Sequence, residues 1–436
     1  MTLEEVDHKF ERLYQELPEA TAALAREHGA FHRARRIKSV AALLRAVLLY
    51  SLCDLPLRTI AGWFTGHGQR LTDEAVRGRL QGCGPWLKAV LGQMLPRPWS
   101  TPPAGPTAWR LVLHDGSVVN GPGSQGTDYR LHLSFDPVAQ EIGECHVYDV
   151  KTGESLKLFQ HDERTLVLGD RAYAKAPALL ATRQTGAHFC TRMAPSYLVL
   201  QDEAGNKIAV AEHLRQAGEE VQVSLAVTIR EAKTGATCPA YWHAHRLSAA
   251  AANQARRRAK RTSRKNGKTL QQATLLWCDW VLLVTSVPPR ELPAPEVFAL
   301  YRVRWQVELL IKRLKSLLDA DALRARAGSP LAEVYLLGKL LYALLLEGRT
   351  LERVGHDWLQ MLGSRTQTCW RVWQLLAAEL KEAVLNTAAW DGLDWDELLP
   401  VLGERKRKRR LQLIPAAVVQ WLRRKPTVPV PAPGYV

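Results

Sequence analysis

The chain has 436 residues, 47% of them apolar, and a formal net charge of +16 at pH 7, so it is long enough for two or three domains with a substantial core. No uninterrupted apolar stretch reaches membrane-spanning length, and the opening MTLEEVDHKFERLYQELPE lacks the basic-then-apolar order of a signal peptide; an intracellular protein without a membrane partner is expected. Seven cysteines stand far apart with no CxxC pair, which argues against a disulfide scaffold or a cysteine zinc module; Cys238, His243 and His245 fit no standard zinc spacing and read as structural.

Residues 1–100 read as a helical domain. After SVAALLRAVLLYSL (39–52) come LPLRTIAGWF, a Gly/His break, and LTDEAVRGRLQGCGPWLKAVLGQML. The Thr72/Asp73 start and the bases Arg77 and Arg79 follow the order of a helix-turn-helix DNA-binding unit, an order shared by small helical bundles. Proline crowding in LPRPWSTPPAGP (95–106) marks a linker. Residues 101–194 then carry strand-like runs at 108–117, 129–137, 141–150 and 165–170, a helix at 175–186 and a strand at 188–194, the pattern of a mixed α/β sheet.

Residues 195–274 turn to short β-runs, YLVLQD, KIAVAEHL and VQVSLAVTIR, and close in a basic block; they read as an insertion. Residues 275–350 resume the α/β pattern with the strand WVLLVTSVPP (280–289), a helix opened by Pro295, and the apolar helix LAEVYLLGKLLYALLLEGR (331–349). Residues 351–436 are expected to be helical up to a second basic run, with PTVPVPAPGYV as a disordered or polyproline-like tail.

The positive charge is concentrated. Residues 253–268, NQARRRAKRTSRKNGK, hold eight bases and no acid, Arg256, Arg257, Arg258, Lys260 and Arg261 among them, and Arg405 to Lys425 hold nine bases and no acid. The remainder of the chain is nearly neutral. Such blocks serve either as solvated helices and tails or as surfaces for nucleic acid or another polyanion.

Helical geometry groups the residues of YRVRWQVELLIKRLK (301–315). At about 100° per residue, Tyr301, Arg304, Glu308, Lys312 and Lys315 share one face, and Val303, Val307, Leu310, Leu314 and Leu317 share the opposite one. One carboxylate therefore stands among bases, either as i,i+4 ion pairs on an ordinary amphipathic helix or as a metal ligand beside phosphate-binding groups. Two further acids, Asp115 in LVLHDGS and Asp170 in LVLGDRAY, are expected at strand ends, where α/β sheets build their sites; turn-forming is the plainer role for each. Three carboxylates from two strands and a helix would suit two Mg²⁺ or Mn²⁺ ions for in-line phosphoryl transfer on a polyanion. His114, next to Asp115 in a strand, is expected on the other face.

The spacing Tyr301, Arg304, Glu308, Lys315 resembles the Tyr-Arg-Glu-Lys signature of DDE transposases of the insertion-sequence-four family. Asp115 in HDGS and Asp170 in GDRAY resemble that family's first two acids, and the likeness takes in GTDYRLHLSFD, the basic stretch before WVLLVTS and the insertion, roughly residues 40–350. It implies an α/β fold with an RNase H-like catalytic core interrupted by a β-rich insertion, a helical N-terminal DNA-binding domain and a helical C-terminal region. The implied activity is metal-dependent DNA cleavage and strand transfer, commonly through hairpin ends. The implied partners are double-stranded DNA, as terminal inverted repeats and target, and a second copy of the chain on that DNA, in the cytoplasm at the bacterial nucleoid.

The same resemblance implies that Asp115, Asp170 and Glu308 are catalytic metal ligands and that Tyr301, Arg304 and Lys315 grip a terminal phosphate. Trp280 corresponds to a position where related enzymes stack a flipped base, with a sheet-core aromatic as the equal alternative. Arg171 and Arg192 stand between phosphate contact and ordinary surface roles. A DNA-binding regulator that has lost catalysis is the main alternative; a carbohydrate hydrolase would explain the acids but not the bases.

Overall fold

A computed structural model describes residues 3–35, 37–66, 69, 71–95, 109–195, 197–354, 369–385 and 414–424. Most of the proline-rich linker, the 405–410 part of the second basic run and the terminal PTVPVPAPGYV lie outside the described residues.

Alternating apolar residues produce a nine-stranded mixed sheet in the order β3-β2-β1-β4-β5-β9-β8-β7-β6. The strands β1 (Arg110–Val119), β2 (Tyr129–Asp136) and β3 (Glu141–Asp149) form an antiparallel meander. Strand β4 (Thr165–Gly169) lies parallel to β1 and to β5 (His188–Arg192). Five strands in the order 3-2-1-4-5, with this mixture of directions, resemble an RNase H-like core. The sheet then runs on through β9 (Trp280–Thr285), β8 (Thr237–Arg246), β7 (Gln222–Arg230) and the two-residue β6 (Leu200–Gln201). The strands of the insertion thus extend the core sheet itself. Helix α7 (Ala176–Gln184) joins β4 to β5, and within the insertion KIAVAEHL departs from the expected β-run: Val210–Gln216 form α8, with Val210 and Leu214, four apart, both buried; α9 (Ala249–Lys265) and α10 (Gln272–Trp277) follow β8.

Among the described residues six helices precede the sheet: α1 (Leu3–Gln15), α2 (Thr21–Glu27), α3 (Val40–Ser51), α4 (Leu57–Gly66), α5 (Asp73–Gln81) and α6 (Gly84–Met94). Thr72 caps α5 by accepting the Ala75 N–H at 3.2 Å, and α6 starts afresh at Gly84 with Pro85 in its first turn. The 25-residue α13 (Pro330–Val354) packs on α3, α5, α6 and the later α14 (Cys369–Leu385), tying the helical bundle to the chain's second half. Gly338 makes the close approach to α3 possible, because a Cβ there would strike the Ser51 side chain. Lys339, 2% exposed, is neutralised by Asp54 at 3.2 Å, as a buried ammonium requires. Among the described residues no helix is long and apolar enough to cross a membrane.

Two core clusters lie on opposite faces of the sheet. One joins Leu111, Leu113, Leu166 and Leu168 to the helical bundle; the other joins Val167, Phe189, Trp242 and Trp280 to the far face. The expected seam of the 301–315 segment lies in the first cluster, where Val303, Val307, Leu310 and Leu314 are each no more than 1% exposed. Full burial of each such side chain contributes on the order of 1.5–3 kcal/mol. The segment is not one uniform helix, however: α11 (Ala294–Tyr301) and α12 (Trp305–Leu318) are joined by a 3₁₀ turn at Arg302–Arg304.

Candidate active site

The register of β1 against β4 positions the two aspartates. Leu113 lies opposite Leu168, and the same offset carried on by two residues sets Asp115 beside Asp170. Asp170 follows the last residue of β4, as expected, and accepts the Ala172 N–H at 2.7 Å in the turn. Asp115 does not end its strand: β1 runs on to Val119, because β2 continues to pair with it beyond the end of β4. Strand alternation points Asp115 to the face of Leu111 and Leu113, on which α12 packs. His114 takes the opposite face, fully buried, sharing a 2.9 Å hydrogen bond with His161.

Glu308 reaches this site from α12, and Arg304 joins it to Asp115. One guanidinium nitrogen of Arg304 lies 3.5 Å from Asp115 Oδ2 and the other is hydrogen-bonded to Glu308 Oε1. Burial raises the Asp115 carboxyl to about 6; Arg304 and the Gly116 N–H oppose the rise, while Asp170 and Glu308 add to it. Arg304 itself sits above its ordinary value, since Tyr301, Glu308 and Asp115 outweigh its burial.

Other cations crowd the same place. Arg192 is pushed below its ordinary value by burial and then by Arg171 and Arg304, with Tyr301 and Asp170 acting the other way. Cys278 feels Arg256, Arg171 and Arg192 together, so the basic block begins close to these arginines. Tyr301 is half-buried, with the Arg304 Cζ 6.0 Å from its ring centre, and burial raises its hydroxyl. Lys312 is exposed with its ammonium 4.5 Å from the Trp305 ring centre, and Lys315 is half-buried.

The block 253–268 forms most of α9 (Ala249–Lys265), whose only buried residue is Ala252. Arg257, Arg258, Lys260 and Arg261 are exposed, and Arg256 pairs with Asp279 at 2.5 Å. Trp280 does not present its ring to solvent. It is 2% exposed in the far core cluster, and the Arg246 guanidinium lies 4.4 Å from its ring centre.

Two residues that motif reasoning did not single out lie behind this site, on the His114 face of the sheet. Glu154 places Oε1 2.7 Å from where a Cβ on Gly116 would stand, on the face opposite to the Asp115 side chain. Tyr173, in the GDRAY turn, is fully buried and feels Glu154, Asp115 and Asp170. The glycines Gly116 and Gly169 were the available signals, since a Cβ at Gly169 would come within 2.8 Å of Tyr173.

Among the described residues no group of three Asp, Glu, His or Cys side chains is gathered closely enough to hold a metal ion. The expected convergence of three carboxylates is therefore incomplete: the Arg304 guanidinium stands between Asp115 and Glu308. The donors nevertheless suit a hard divalent cation, being carboxylate oxygens whose mutual repulsion helps raise Asp115.

Residues 110–344 match the family model described as the transposase DDE domain. The chain is 31% identical over 336 residues, 76% of its length and 90% of the relative's, to the putative transposase InsL for insertion sequence element IS186A of Escherichia coli K12. It is 31% identical over 337 residues, with the same coverages, to the transposase for insertion sequence element IS421 of Escherichia coli. The structure of a piggyBac transposase synaptic complex with hairpin DNA aligns with TM-score 0.42 and 10% identity over 92% of this chain and 86% of that one, a likeness too low to support any argument. On the domain match and the insertion-sequence relatives, the chain belongs to the DDE transposase family.

Proposed function

We propose that the chain is a DNA transposase of the insertion-sequence-four type that binds the terminal inverted repeats of its element and catalyses divalent-metal-dependent cleavage and strand transfer. The observation that carries this reading is the meeting of opposite charges at one place: Asp115 and Glu308 share Arg304, while Arg171 and Arg192 gather beside Asp170 despite their repulsion. Like charges assemble in this way when a ligand of opposite sign completes the site. DNA phosphate answers the arginines, and a divalent cation answers the acids.

In this mechanism Asp115, Asp170 and Glu308 would hold two Mg²⁺ or Mn²⁺ ions. When bound, such ions activate the attacking oxygen and stabilise the leaving one in an in-line displacement. Arg304 gives up its carboxylates and turns to the phosphate, alongside Arg171, Arg192, Tyr301 and Lys315, with Lys312 further along the same face. Arginine suits this role because its planar fork binds phosphate in two hydrogen bonds. The exposed bases of α9 hold the flanking duplex, and residues 1–100 supply a further DNA-binding unit. Hairpin ends and a dimer on DNA follow from the family resemblance and from the need to hold two element ends together.

The alternative, a regulator that binds DNA without cutting it, gains nothing from acids placed beside phosphates. The test is to incubate the purified chain with Mg²⁺ and DNA carrying the element's own ends. Cleavage at those ends and joining of the freed 3′ strand to a second DNA are expected; binding with no cleavage under any divalent ion would establish the regulator instead.

A further inference from the structure

The helical bundle carries a basic surface that the active site does not use. Residues 28–53 hold no acid, and four bases stand within six of them, Arg33, Arg35, Arg36 and Lys38. The chain that bears them, between α2 and α3, is held as an arch. Helix α2 gives way at Gly29, whose φ of +72° turns the chain back, and the Phe31 N–H then donates to the Ala25 carbonyl at 2.9 Å. Phe31 and Ile37 are buried, whereas His32, Arg33, Arg35 and Lys38 are exposed; Arg36 lies outside the described residues. Ser39 closes the arch by capping α3, its hydroxyl accepting the Ala42 N–H at 3.0 Å.

Helix α5 stands beside this arch. The half-buried Arg79 donates from its guanidinium to the Arg33 carbonyl at 3.3 Å, which joins the two. Glu74, Arg77, Gly78 and Gln81 form the exposed face of the helix, and Val76 and Leu80 are buried behind them. The two acids of its first turn already face bases, Asp73 with Arg58 and Glu74 with Arg77, each at 3.6 Å.

Gly78 is an independent sign of an outside partner. A helix interior disfavours glycine relative to alanine, yet a Cβ here would meet nothing within 4 Å, so nothing in the fold requires the missing side chain. Bare backbone on an exposed face suits the close approach of a ligand.

We propose that the arch and the exposed face of α5 form one surface for duplex DNA, in which Arg33, Arg35 and Lys38 contact phosphates and Gly78 admits the nucleic acid close to the helix backbone. Bases without neighbouring acids supply the attraction that a phosphate chain answers, and an α-helix is of the width that the major groove admits. The inference rests on the reading of the chain as a binder of its element's ends, and it assigns the part of residues 1–100 that meets them.

The full chain is titrated in EDTA with a fluorescent duplex carrying the element's ends, over a range of salt. Arg33→Ala, Arg35→Ala and Lys38→Ala combined should reduce the slope of log binding constant against log salt by up to about 2.7, at about 0.9 for each phosphate contact. Gly78→Gln should weaken binding roughly tenfold, the loss expected of one disrupted DNA contact, while its melting temperature stays at or above that of the wild type. A steadier helix that binds DNA less well separates contact from folding. Melting curves identify a triple variant that fails to fold, and Arg33→Gln, Arg35→Gln and Lys38→Gln combined then take its place.

An unchanged salt slope in the folded triple variant, or wild-type affinity in folded Gly78→Gln, would overturn the joint surface; binding of the end duplex by the wild type in the same titrations would leave the transposase reading standing. No binding of that duplex by the wild type would overturn both.

Discussion

Arg304 holds Asp115 at 3.5 Å through one guanidinium nitrogen and Glu308 through the other, so a base occupies the place between two acids that the proposed chemistry assigns to a cation. Arg304→Ala should therefore tighten Mn²⁺ binding in the absence of DNA. Hydrogen bonds to charged groups are worth about 1.5–3 kcal/mol, so removing the competitor should lower the apparent dissociation constant roughly tenfold. The same variant should lose cleavage, since the phosphate ligand is gone. Metal titration and a cleavage assay on one preparation check both halves.

Helix α9 is a surface for duplex DNA in this account. Its bases Arg257, Arg258, Lys260 and Arg261 are exposed, and each phosphate contact contributes about 0.9 to the slope of log binding constant against log salt. Replacing all four with alanine should reduce that slope by up to about 3.6 and weaken binding most at low salt. An unchanged slope in fluorescence-anisotropy titrations would remove α9 from the interface.

Trp280 is a core residue at 2% exposure. Trp280→Ala should destabilise the protein by about 3–5 kcal/mol, the usual range for loss of a large buried aromatic. Trp280→Phe should retain most stability and cleavage. A stable, inactive Trp280→Ala variant would point instead to direct contact with a DNA base.

Glu347 on α13 gives a pH signature independent of the active site. It is 7% exposed, accepts the Ile142 N–H at 2.9 Å, and burial lifts its carboxyl from 4.5 to about 8. A raised folded value means that the native state holds the proton more tightly than the unfolded chain. The stabilisation is full below about 4.5 and is lost as pH rises through about 8, at about 1.4 kcal/mol for each unit of displacement. Thermal melting should show this decline in the wild type, and Glu347→Gln, which keeps an acceptor for Ile142, should flatten it.

Much of the site was legible because it obeys local periodicity. The spacing of Val303, Val307, Leu310 and Leu314 required a buried seam, and that seam turns Glu308 toward the sheet; Asp170 stands where the apolar run TLVLG ends. What the sequence did not disclose depends on contacts between distant segments. The continuation of β1 past Asp115 needs β2 as a partner, and Arg304's double engagement needs β1 and α12 to meet. KIAVAEHL became a helix because Val210 and Leu214 face the same core, a choice its short apolar run left open. Trp280 carried two readings, and only the packing of the layers shows that its ring is covered.

The central claim is that Asp115, Asp170 and Glu308 perform metal-dependent chemistry on DNA that other residues bind. The most direct measurement is single-turnover cleavage of end DNA in Mg²⁺ by the wild type and by Asp115→Asn, Asp170→Asn and Glu308→Gln, with DNA affinity measured in EDTA on the same samples. The account predicts cleavage by the wild type only in divalent metal, losses in each variant beyond the roughly 10–100-fold typical of outer partners of a metal site, and little change in DNA affinity. Wild-type cleavage rates in any one variant, or cleavage by the wild type in EDTA, would contradict it.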